Sequence, residues 1–140
     1  MKKPFVFISY SKRETDIAVC VHNYLERKGI VCWMAAKDIE GGLSYSVQMV
    51  DAMTHCAAVV VLASSSSNVA THIKDELEIA VDDKKKMICL KLEDYALTEQ
   101  NELYLKDAKW IDASKDMDGA LKALRADLKK IIKEAKKLHL

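Results

Sequence analysis

Two hydrophobic rhythms alternate along this 140-residue chain. Short apolar runs at residues 5–9, 30–33, 57–63 and 87–92 read as strands, and the unbroken run 57–63 as one buried on both faces of a parallel sheet. Between and after them, residues 13–28, 44–55, 71–82 and 115–138 place apolar side chains at helical spacing. The inner stripes expected are Ile17, Val21, Tyr24 and Leu25; then Val47, Val50 and Met53; then Ile73, Leu77, Ala80 and Val81; then Leu121, Leu124, Leu128, Ile131 and Leu138. Gly29 stops the first helix. Residues 34–43 read as a loop, 93–106 as a polar loop with one or two helical turns, and 109–111 as a short fifth strand at the edge. Five strand–helix units at this length predict an α/β, flavodoxin-like three-layer sandwich, one domain over residues 1–140. Its five-stranded parallel sheet has the order 2-1-3-4-5.

In such a sheet ligands bind beyond the carboxyl ends of the strands, at the switch point between strands one and three. Both ends there are rich in hydroxyls: Ser9, Tyr10 and Ser11 after the first strand, and four serines, 64–67, after the third. Serines also end strands and cap helices, and both readings are open at this point. On the following helix, at about 100° per residue, Glu76 falls about 85° from the centre of the apolar arc, at its boundary. Asp75 points to solvent, and His72 stands one turn before Glu76 on the same side. Glu76 is therefore the acid best placed to border the crevice, partly shielded and with a raised pKa. A boundary glutamate paired with a lysine fits the same geometry.

Half of the residues are hydrophobic and 31% are charged, which fits a folded globular domain rather than a disordered chain. A formal net charge of +1 excludes a global field toward nucleic acid or membrane. No apolar run has the length of a transmembrane helix, and the opening residues lack the apolar stretch of a signal peptide. Cys20, Cys32, Cys56 and Cys89 have no CxxC spacing, which points to free thiols in a reducing cytoplasm rather than to disulfides or a metal. The last helix carries Lys129, Lys130, Lys133, Lys136 and Lys137, read as a solvated face or a seat for an anionic partner. A P-loop, a GxGxxG dinucleotide fingerprint, the acidic pocket of a phospho-acceptor receiver and a flavodoxin-type phosphate loop are all missing.

Four blocks in order resemble the TIR domain family, in particular its bacterial members: FVFISYSKRE (5–14), LERKGIVCWMAAKDIEGGLSYSVQMVDAM (25–53), VVVLASSSS (59–67) and HIKDELEIA (72–80). The likeness runs over residues 4–112. It implies the five-stranded fold above and, as in many bacterial members, cleavage of NAD+ at the nicotinamide–ribose bond, giving nicotinamide and ADP-ribose or cyclic ADP-ribose in immune defence signalling. The family's catalytic glutamate lies in a WxxxE pattern, where Glu76 stands, with His72 in the tryptophan position. Its single carboxylate would stabilise an oxocarbenium-like ribosyl cation. Substrate contacts fall to Ser9, Tyr10, Arg13 (for the pyrophosphate), Trp33, Asp38, Ser44, Tyr45, Ser64 and His72. The family's Pro-Gly loop is replaced by Glu40-Gly41-Gly42, which gives it more freedom. The resemblance also implies a cytoplasmic homo-oligomer built by TIR–TIR contacts, with NAD+ as substrate and no further cofactor, metal, nucleic acid or membrane. The other role open to the family is a non-catalytic signalling scaffold working through the same contacts.

Overall fold

The computed structural model describes residues 3–138. Strands β1 (Phe5–Ser9), β2 (Val31–Trp33), β3 (Ala58–Ala63), β4 (Lys86–Lys91) and β5 (Lys109–Asp112) form one sheet of order β2-β1-β3-β4-β5. Every pairing is parallel, with Ser9 beside Val61 and Ala63 beside Lys91. The sequence-based fold is therefore the observed one. Helices α1 (Thr15–Arg27), α2 (Ala35–Asp38), α3 (Tyr45–His55), α4 (Ser65–Val69), α5 (Thr71–Asp82), α6 (Glu99–Tyr104) and α7 (Met117–Leu138) connect the strands, with a single 3-10 turn, Lys12–Glu14, before α1.

Successive strand residues point to opposite faces, so each central strand feeds two cores. Val6, Ile8, Val60 and Leu62 pack with Val21, Leu25, Leu124 and Leu128 of α1 and α7. Phe7, Val59 and Val61 pack with Met49, Met53, Ile73 and Leu77 of α3 and α5. That two-sided burial is why residues 58–63 are apolar without interruption. The edge strand β2 is protected: its Cys32 N–H donates to the Glu26 carboxylate at 2.8 Å. Gly29 closes α1 at φ +84°, a left-handed conformation that glycine adopts without strain.

Five helix details differ from the sequence reading. In α3 the buried residues are Met49, Ala52 and Met53, while Val47 and Val50 are 68% and 42% exposed. A stripe spaced by threes drifts by about 60° per step, so of 47, 50 and 53 only the last reaches the core. Val81 is 40% exposed, because it sits in the final turn of α5 as the chain leaves for β4. Leu138 is exposed because α7, 22 residues and about 33 Å long, outruns a sheet whose longest strands have six residues. The serine run after β3 is helix α4, and the loop after β2 contains the turn α2. No helix among the described residues is long and apolar enough to cross a membrane.

Candidate active site

β1, β2 and the start of α5 bring distant side chains to one cavity of ≈ 580 Å³ at the carboxyl end of the sheet. Tyr10 and Lys12 come from the segment after β1, and Trp33 from the end of β2. Ala35, Ala36 and Ile39 form the α2 wall, Tyr45 opens α3, and His72 and Glu76 stand one turn apart on α5. A hollow of ≈ 660 Å³ at the opposite ends of β4 and β5 is lined by apolar side chains and by lysines, most of them exposed. Its half-buried charges are already used: Lys85 donates to Thr54 and Cys56 carbonyls at 2.8 Å each, and Asp127 pairs with Lys109 at 2.8 Å. The smaller cavity is the one with chemistry to spare.

Glu76 is 3% exposed, and its Oε2 has no hydrogen-bond partner. No ion pair among the described residues includes it. Burial pushes its pKa up to about 8; the Ser9 hydroxyl beside it acts in the opposite sense, and Asp75 adds to the rise. Ser9 is fully buried at the end of β1, and its Oγ likewise lacks a partner of normal geometry, so its offset is a partial one. The sequence placed Glu76 at a half-shielded boundary. The structure buries it, because the residues that roof it come from β1, β2 and α3, which a helical wheel of α5 cannot see.

The walls are held by specific contacts. The Ala36 N–H donates to the Tyr10 hydroxyl at 2.8 Å, pinning α2 to the end of β1. Burial raises the Tyr10 pKa against that hydrogen bond. His72 Nε2 lies 3.0 Å from the Tyr10 carbonyl oxygen, which can only accept, so Nε2 carries the proton and ties α5 to β1. Trp33 stacks on Phe7 at 4.8 Å between ring centroids, one face in the core and an edge in the cavity. Tyr45 is 41% exposed as a residue, yet burial of its hydroxyl end and the nearby Glu76 carboxyl push its pKa to about 12.

Of the residues singled out in the sequence, Tyr10, Trp33, Tyr45, His72 and Glu76 share this cavity, with Ser9 directly behind it. The others lie elsewhere. Asp38 accepts from the Met34 N–H at 2.8 Å and closes the α2 turn. Ser44 caps α3 by accepting from the Val47 N–H. Ser64 donates to Glu14, and Ser65 gives both its N–H and hydroxyl to Glu93 at 2.8 Å, so these serines are spent on framing α4. Arg13 lines a neighbouring cleft of ≈ 340 Å³ with Ser11, Lys12, Ser65, Ser66, Ala70 and His72; the cleft joins the cavity at Lys12 and His72. Lys12 was missed because only the 3-10 turn decides which of two adjacent cations borders the cavity. Ala35, Ala36 and Ile39 were hidden by reading α2 as loop. Among the described residues no cluster of His, Cys, Asp and Glu could hold a metal ion.

The arrangement is a buried, uncompensated carboxyl facing an aromatic-walled cavity, with a cationic cleft alongside. Among curated proteins, none matches this sequence at a significant level. Of solved structures, the TIR domain of the Toll-related receptor TRR-2 from Hydra magnipapillata is similar with a TM-score of 0.74 at 18% identity, over 90% of this chain and 96% of that one. The RPS4 and RRS1 TIR domain heterodimer has a TM-score of 0.65 at 18% identity, covering 91% and 97% of the two chains. A CMP N-glycosidase of Clostridium botulinum, BcmB, has a TM-score of 0.61 at 17% identity, covering 84% and 97%. At these identities the likeness is one of fold. The sequence itself matches the family model of the TIR domain over residues 6–127, nearly its whole length, and the chain therefore belongs to the TIR domain family.

Proposed function

We propose that this TIR domain hydrolyses or cyclises NAD+, with Glu76 as the catalytic residue. The observation that carries the reading is the Glu76 carboxyl itself, buried at the head of a cavity at the sheet's switch point with Tyr10, Trp33 and Tyr45 around it. Nicotinamide is a cationic leaving group, so the C1′–N bond breaks with its electron pair going to the ring nitrogen, and no general acid is required. The ribosyl cation left at C1′ is stabilised by ionised Glu76. It is then captured by water, releasing a proton, or by a nucleophile of the same molecule. The cleft at Lys12 and Arg13 suits the pyrophosphate. The fold is shared with an N-glycosidase acting on another nucleotide, which is compatible with this bond class. Free thiols suit a reducing cytoplasmic setting.

The second reading is a scaffold acting through TIR–TIR contacts, favoured by the exposed apolar side chains Leu43, Val47 and Val50 at and before α3. The two readings are compatible if assembly activates the enzyme. The deciding experiment follows nicotinamide release from NAD+ by concentrated protein, with and without crowding agent, for wild type and Glu76→Ala. Wild type should turn over and the variant should lose roughly 100-fold or more. An inactive wild type that still self-associates would leave the scaffold reading alone.

A further inference from the structure

The hollow at the amino ends of β4 and β5 has its half-buried charges satisfied, but not its exposed ones. Six of its lining residues are lysines and three are acids, an excess of three positive charges in a chain whose net charge is +1. Lys85 and Lys109 are committed to the partners given above. Lys84, Lys86, Lys106 and Lys130 are exposed, and no ion pair among the described residues includes them. The same hollow is lined by exposed Val81, by Leu103, which is 63% exposed, and by half-buried Met87, Tyr104 and Ile131.

Lys84 supplies a second observation. Helix α5 ends in a Schellman turn, in which the Lys84 N–H donates to the Val81 carbonyl at 3.0 Å and the Lys85 N–H to the Ala80 carbonyl at 2.9 Å. Such a turn needs one left-handed residue, usually glycine. Here Lys84 adopts it at φ +54°, the one non-glycine residue with positive φ among the described residues. The chain keeps a charge in the hollow where its backbone favours glycine.

We propose that this hollow is the docking site of an acidic peptide segment that carries a large apolar side chain between its carboxylates. The carboxylates meet the four uncommitted lysines, and the apolar side chain enters among Val81, Leu103 and Ile131. Charge complementarity and concavity select this occupant. A phosphate backbone would run against Asp107 and Glu134, which interrupt the positive lining, and an anionic membrane is flat where this surface is a hollow of ≈ 660 Å³. β5, which begins in the hollow at Lys109, is also an edge strand of the sheet, and a peptide backbone can pair with such an edge. The site lies at the end of the sheet away from the Glu76 cavity and does not depend on the catalytic reading.

The test is fluorescence anisotropy of a labelled peptide, a Leu-Phe pair flanked on both sides by Asp-Glu, titrated with the whole protein. Unlabelled competitors are the same peptide, its Ser-Ser counterpart, its lysine-flanked counterpart, a short oligothymidylate and phosphatidylserine vesicles. Expected is saturable binding that only the parent peptide competes away, weakened roughly fivefold or more between about 50 and 300 mM salt. Lys106→Glu and Leu103→Ser, both at exposed positions, should each weaken it about fivefold or more without moving the melting temperature. Lys122→Glu, exposed on α7 outside the hollow, should leave it unchanged. Lys84→Gly should hold or raise the melting temperature while weakening the peptide about threefold. No saturable binding at about 1 mM protein, equal competition by the Ser-Ser peptide, stronger competition by oligothymidylate or vesicles, or equal effects of Lys106→Glu and Lys122→Glu overturns the proposal. A dimer that Lys106→Glu dissociates, with no peptide bound, also overturns it and gives the hollow to a second copy of the chain.

Discussion

Glu76 is the only acid buried among the described residues, and its burial gives the protein a specific dependence on pH. An unfolded glutamate gives up its proton near its ordinary value, about 4.5, whereas the folded one keeps it until about 8. Between those values the folded state binds more protons than the unfolded one. Its stability from this group is complete below about 4.5 and is lost as pH rises through 8. Exposed Glu93, Asp94 and Asp112 are shifted the other way, held down by Ser65, Lys91 and Ser114 respectively, so their contribution disappears only in acid. Glu76→Gln should therefore raise the melting temperature at pH 8 relative to wild type and flatten the profile between pH 5 and 8. Identical thermal profiles for the two proteins would mean the carboxyl is ionised and compensated in the fold. The sequence showed Glu76 at an apolar boundary. It did not show the missing counter-ion, because the absence of a neighbour is a property of several elements at once.

Helix α3 shows how an element's rotation escapes a local reading. Its apolar positions 47, 49, 50, 52 and 53 cover most of the circumference, so periodicity alone cannot say which arc faces the sheet. The cap at Ser44 and packing against α5 select Met49, Ala52 and Met53. Met53→Ala should then cost about 2–5 kcal/mol in urea unfolding, whereas Val47→Ser should stay within about 0.5 kcal/mol. Equal losses would place both valine and methionine in the core. The serine run makes the same point in polar form. Four hydroxyls after β3 read as a substrate rim, but Glu14 and Glu93, distant in sequence, claim Ser64 and Ser65. Only spatial partners decide whether a hydroxyl is free for a ligand.

Across the whole molecule, the two cores keep three of the four thiols away from reagent. Burial pushes the pKa of Cys32 and Cys89 to about 12 and that of Cys56 to about 11, while Cys20 is exposed on α1. A thiol reagent should titrate one cysteine per chain in the native protein and four in denaturant; two or more fast native thiols would contradict the packing. The order of strands, the parallel sheet and the TIR family could all be read from the chain, because unbroken apolar runs and ordered motif blocks are local properties. So could Glu76 as the acid to watch, since its place on α5 follows from helical spacing. The cavity, the burial of that carboxyl and the division between Lys12 at its rim and Arg13 in the cleft beside it were decided only by tertiary structure. Each depends on which side chains from β1, β2, α2, α3 and α5 meet at one point, and no spacing along the chain encodes that distance.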